Sequence, residues 1–157
     1  MRVLLDTTYF LPAIGISVKD LPKDAPLKLM QKGHQISISD ISIFELAAKG
    51  AKHVVLGNLA AERVTKGIRA LVYSDAVEVI SMRETTLLLT AFKLRGVLSD
   101  FIDCLLLSSA MNLCDVLITE DEDIHDLRKN KDFNDLVASI NPKFKVQTLM
   151  ENLQAQR

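Results

Sequence analysis

A chain of 157 residues is long enough to bury one full core, and 48% hydrophobic with 25% charged residues is the composition of a globular domain. The formal net charge of −1 argues against a general polyanion-binding surface, and uncharged runs such as Cys104 to Cys114 fall short of the ~20 residues a membrane span needs. The N-terminus meets Asp6 before any apolar signal segment develops, and the two cysteines fit reduced core thiols, so a cytoplasmic protein is expected.

Residues 2–5 read as a short buried strand ended by Asp6-Thr7-Thr8. A first helix is expected over about 8–15, then a loop from Ser17 to Pro26. Asp24 as N-cap, Pro26 in the first turn and Gly33 at the end frame a second helix. Gln35 to Ser39 alternates with period two and predicts a strand. Ile41 to Lys49 predicts a helix ended by Gly50, and Leu56, Leu59, Val64, Ile68 and Leu71 give a long helix over 54–73. A strand at Val77–Ile80 precedes helices at about 84–95 and 100–113, divided by Gly96. Val116–Thr119 reads as another buried strand, 122–130 and 133–139 as helices, Phe144–Gln147 as extended and 148–155 as a last helix. Strands alternating with helices predict a single α/β domain over 1–157, a three-layer α/β/α stack around a central parallel sheet.

Four acids stand where such a fold could gather them. Asp6 and Asp121 lie just past strand ends, the edge at which parallel sheets bind ligands. Asp103 and Glu45 lie in the first turns of predicted helices, and a helix antiparallel to its following strand returns those turns to the same edge. Charged groups are seldom buried without a partner or a cation. Each acid also has a structural explanation. Asp6 could be a turn residue, and Ser42-Ile43-Phe44-Glu45 matches a capping box, with Asp40 an alternative N-cap. Asp121 belongs to the acidic run Glu120-Asp121-Glu122-Asp123. Asp103 resists best, because Asp100 suits the N-cap and apolar residues surround Asp103 on its helix. His34, His53 and His125 form no constellation, with His125 read as a surface residue, and no Cys/His cluster has zinc spacing.

Taken in order, Leu4-Leu5-Asp6-Thr7-Thr8, Ile43-Phe44-Glu45-Leu46, Ser99-Asp100-Phe101-Ile102-Asp103-Cys104 through Ala110, and Leu117-Ile118-Thr119-Glu120-Asp121-Glu122-Asp123 resemble the four acidic motifs of the PIN-domain family. The size and single domain look most like its VapC-type toxin ribonucleases. The resemblance implies a Mg²⁺- or Mn²⁺-dependent ribonuclease with Asp6, Glu45, Asp103 and Asp121 as metal-binding and catalytic acids. It implies orienting hydroxyls at Thr8 and Thr119 and an auxiliary acid at Asp123, beside Asp100. It further implies an antitoxin partner and a homodimer. Two departures stand out: Ile124 occupies a position often aromatic, and the Ser17–Pro26 loop is longer than in the shortest members. Lys49, Lys52, Arg63, Lys66 and Arg69 are candidates for RNA contact, against the plainer reading of a solvated helix face. A haloacid-dehalogenase phosphatase would need an acid at Thr8, a response-regulator receiver needs paired acids near the first strand, and no glycine fingerprint for a dinucleotide follows it. The remaining alternative is a catalytically inactive PIN-like module that binds RNA or a protein.

Overall fold

Short runs of Val, Leu and Ile, apolar on both faces, are what an interior parallel strand requires. In the computed structural model, which describes residues 1–155, five strands form one parallel sheet, β1 (Arg2–Leu5), β2 (Gln35–Ser39), β3 (Val77–Ile80), β4 (Val116–Ile118) and β5 (Lys145–Gln147), and the adjacent β1 and β4 have that character most fully. Their spatial order is β3-β2-β1-β4-β5. Val3, Leu4 and Leu5 pair with Val116, Leu117 and Ile118.

The two-residue period of a strand sends alternate side chains into separate layers. Leu4 and Leu117 face a core built with Leu87, Leu94, Leu107 and Met111. Val3, Leu5 and Ile118 face a second core with Phe10, Leu29, Leu46 and Leu149. The expected three-layer α/β/α stack with a parallel central sheet is the architecture observed. A 3-10 helix (Thr7–Ile14), α1 (Ala25–Gln31), α2 (Asp40–Val55) and α3 (Ala61–Val72) cover one face with α8 (Leu149–Gln154). The other face carries α4 (Thr85–Leu94), α5 (Phe101–Leu113), α6 (Glu122–Asp126) and α7 (Lys131–Ile140). Among the described residues no helix is long and apolar enough to cross a membrane.

Three elements differ from expectation. The segment after β1 winds as a 3-10 helix with Pro12 inside it, where proline removes a backbone donor, and it closes at Gly15 with φ 95°. Gly50 does not end its helix. A Cβ there would stand 2.5 Å from Val64 Cγ1, so this glycine makes room for α3 to cross α2. The expected 54–73 helix is two pieces, because the chain turns at Gly57, φ 75°, before α3 begins.

The chain runs from β1 outward through β2 to β3, then returns to β1's other side at β4 and leaves through β5. The reversal lies between β1 and β4, and such switch points open a crevice at the strands' carboxyl ends.

Candidate acidic site at the carboxyl edge of the sheet

Asp6 is the first residue past β1. Its N–H donates to the Ile118 carbonyl at 3.0 Å, which carries the β1–β4 pairing one residue further. Its Oδ2 accepts the Thr119 hydroxyl at 2.7 Å. That hydroxyl also accepts the Asp121 N–H at 3.1 Å, so the wholly buried Thr119 joins the acids on either side of the crevice. Burial raises the Asp6 carboxyl above its ordinary range, the Thr119 hydrogen bond opposes this, and the nearby Glu45 charge adds to the rise.

Glu45 is free of helix capping. Ser39 caps α2 by accepting the Ile41 N–H at 3.3 Å, and both Asp40 oxygens take the Met82 N–H, at 3.2 and 3.1 Å. Glu45 is thus the sixth helical residue, outside any capping box with Ser42. Its Oε1 instead accepts the Thr7 hydroxyl at 2.7 Å. The expected orienting hydroxyl was Thr8. The 3-10 turn presents Thr7, which is buried, while Thr8 is half-buried beside it.

Asp103 occupies the first turn of α5, whose residues from Cys104 to Met111 are all buried. Asp100 is the N-cap, accepting the Ile102 N–H at 2.8 Å and the Asp103 N–H at 3.4 Å. The Asp103 carboxyl is pushed up to about 7, first by burial and then by the charges of Asp100, Asp121, Asp6 and Glu45. The field of all three other expected acids therefore falls on Asp103. Like charges brought near one another where water is partly excluded raise one another in this way.

Asp121 does cap α6, its Oδ1 accepting the Ile124 N–H at 3.1 Å, as the acidic-run reading allowed. Capping uses one oxygen and leaves the carboxylate charge acting on Asp103. Asp123 stands apart from this set. It is exposed and lines a groove of about 380 Å³ with Val97, Leu98, Ser99, Asp126, Leu127 and Asn130. His125, expected at the surface, is partly buried. Its ring is half-buried and Nε2 donates to the Thr119 carbonyl at 2.8 Å, which fixes the proton on that nitrogen because a carbonyl only accepts.

Of the five cations considered for RNA contact, Lys49 acts on the acids: it is exposed one turn beyond Glu45 and its charge lowers Asp6. Lys52 and Lys66 are exposed. Two of the five have structural duties. Arg63 donates to the Ala13 and Pro12 carbonyls and closes the end of the 3-10 helix, while the Arg69 guanidinium lies 5.8 Å from the centre of the Tyr73 ring. One contact had no counterpart in the sequence reading: the buried Tyr9 hydroxyl donates to Glu120 Oε1 at 2.5 Å. Glu120 had passed as one member of an acidic run.

Among the described residues no three acid, histidine or cysteine side chains are closed onto a single cation position. The donor chemistry fits a hard divalent ion nonetheless. Four carboxylates with two supporting hydroxyls are oxygen ligands, with no soft ligand among them, and the mutual repulsion that raises Asp103 is what a cation would relieve.

Fold and site together define a parallel α/β domain with acidic side chains at the switch point of its sheet. The family model described as PIN domain matches residues 3–130, and the chain belongs to the PIN-domain family. No curated protein sequence matches it. Three solved structures share the fold at low identity. VapBC-1 from nontypeable Haemophilus influenzae aligns with a TM-score of 0.63 at 20% identity, covering 96% of this chain and 99% of that one. VapBC2 from Rickettsia felis, bound to a DNA fragment from its promoter, gives 0.59 at 20% identity over 94% and 98%. DNA-bound VapBC from Salmonella typhimurium gives 0.58 at 17% identity over 95% and 98%.

Proposed function

We propose that the chain is a divalent-metal-dependent endoribonuclease that hydrolyses RNA phosphodiester bonds, and the VapC-type toxin of a toxin–antitoxin pair. The observation that carries this reading is the convergence of the Asp6, Glu45 and Asp121 charges on Asp103, at the carboxyl edge of a PIN-family sheet. Asp6, Glu45, Asp103 and Asp121 would hold Mg²⁺ or Mn²⁺. When bound, such an ion supplies an activated water and neutralises charge on the leaving oxygen. Thr119 and Thr7 hold the Asp6 and Glu45 carboxylates in place, and Lys49 offers a phosphate contact next to them. No histidine is needed as base, and the His125 ring is already committed to the Thr119 carbonyl.

The partner reading draws on the three structural neighbours, each a VapBC complex. Phe44 on α2, and Leu89 and Phe92 on α4, are 70%, 55% and 61% exposed, apolar side chains of the kind an antitoxin segment or a second copy in a homodimer could cover. A second reading, an inactive module that binds RNA or protein, is favoured by the acids not being closed onto one cation position. One experiment separates the two. Purified protein is incubated with several RNAs in Mg²⁺ or Mn²⁺, with EDTA and Asp6→Asn as controls. The nuclease reading expects cleavage abolished by both controls. Cleavage that survives Asp6→Asn would dismiss the site, and absence of cleavage on every RNA would favour the binding module.

A further inference from the structure

We propose that Glu120 is a positioning residue that sets the spacing of Asp6 and Asp121 by joining three chain segments at one carboxylate oxygen. What that spacing serves rests on the nuclease reading; the positioning itself does not. Tyr9 is 3% exposed, and its hydroxyl meets Glu120 Oε1 at 2.5 Å, within the range of charge-assisted O–H···O⁻ bonds. The same oxygen accepts the N–H of Leu149, the first residue of α8, at 3.0 Å.

These contacts complete a closed circuit. The Tyr9 N–H donates to the Asp6 carbonyl at 3.1 Å, the Asp6 carboxylate accepts from Thr119, and the main chain runs from Thr119 to Glu120 and back to Tyr9 through the 2.5 Å bond. Asp121 follows Glu120 directly and is itself tied to the Thr119 hydroxyl. Opening the circuit at Tyr9–Glu120 leaves the two acids linked through Thr119 and the strand pairing alone. The Glu120 carboxylate acts by accepting hydrogen bonds, so a glutamine there, which keeps an acceptor oxygen, preserves the circuit. A plain structural role, partnering a buried tyrosine hydroxyl, predicts a stability change without a local effect on the acids.

The test uses the full chain with Tyr9→Phe, Glu120→Ala, the double variant and Glu120→Gln. Two quantities are read: Mn²⁺ affinity by calorimetry, and amide hydrogen exchange of the metal-free protein. Tyr9→Phe and Glu120→Ala are each expected to weaken Mn²⁺ binding about tenfold, with the double variant no worse than Glu120→Ala and Glu120→Gln within about twofold of the parent. The Asp6 and Asp121 amides should exchange about tenfold faster in the first two variants, while those of β2 and α4 keep their rates. Unchanged exchange at Asp6 and Asp121, or uniformly faster exchange along the whole chain, overturns the proposal, as does parental Mn²⁺ affinity in both variants. If the parent binds no Mn²⁺, the nuclease reading falls and exchange alone decides the positioning. Should Glu120→Ala fail to fold, Tyr9→Phe, which keeps the ring's packing, carries the same comparison.

Discussion

Asp103 is held where its charge costs the folded chain stability. With its carboxyl at about 7 in the fold and near the ordinary carboxylate value once unfolded, the folded state gains a proton that the unfolded chain has already lost. A group raised in this way stabilises the fold below its unfolded value and loses that contribution as pH rises through its folded value. The metal-free protein should therefore gain about 1–2 kcal/mol between roughly pH 8 and pH 5, the solvent near a half-buried group screening the rest of the shift. Asp6, also raised by burial, acts with the same sign. At lower pH the trend reverses as Glu151, lowered by the Thr148 N–H, is protonated. Thermal unfolding across this range checks the sign, and Asp103→Asn should flatten the rise while removing metal binding. A Tm that falls steadily from pH 8 to pH 5 would contradict the account. Asp100→Asn isolates one cause: an amide oxygen still caps α5, but the nearest like charge is gone. A carboxyl-detected NMR titration should then show Asp103 titrating lower, with Tm little changed. Asp103 was legible in the sequence because it is a charge among apolar helix positions. The choice of Thr7 over Thr8 was not, since a 3-10 turn and an α turn present different hydroxyls from the same dipeptide.

The helices α2 and α3 show how an element can be read well and bounded badly. Gly50 has the residue type that ends helices, yet it serves a crossing, and the contact that demands it comes from Val64. Leu56, Leu59 and Val64 keep helical spacing straight across the turn at Gly57, so periodicity alone joins what the chain breaks. Gly67 is the tighter of the two crossings. A Cβ there would stand 2.2 Å from the Ala13 carbonyl oxygen, a backbone atom that cannot rotate aside. Gly67→Ala is expected to cost about 1–3 kcal/mol by urea unfolding, and Gly50→Ala less, because Val64 offers a side chain to yield. Arg63 belongs to the same layer. Its removal by Arg63→Ala should cost about 1 kcal/mol by freeing the Pro12 and Ala13 carbonyls, without changing the salt dependence of RNA binding. Lys49→Ala should do the reverse, weakening RNA binding at unchanged Tm.

At the scale of the whole molecule, the alternation of strands and helices made the layers legible, but not the order of the strands. Five short strands of three to five residues carry too little pattern to fix their neighbours, and only the packed chain decides which lie side by side. The basic residues follow the same rule: all five are exposed on α2 and α3, but Arg63 and Arg69 are engaged by the Pro12 and Ala13 carbonyls and the Tyr73 ring, which leaves Lys49, Lys52 and Lys66 for RNA in the nuclease reading. Single-stranded RNA binding should accordingly weaken with a log–log salt slope of about −2, and a slope near −5 would demand a wider basic surface. The pairing of β1 with β4 reaches further. The Asp6–Thr119 hydrogen bond joins residues 113 positions apart. At a synthesis rate of ~5–20 residues per second, Asp6 is incorporated about 6–23 s before Thr119. For all of that interval the nascent chain holds β1 without a finished β4, and Asp6 without Thr119 or Asp121. Assembly of the four acids therefore waits on the last of them, Asp121, and none of the shorter nascent chains carries the set.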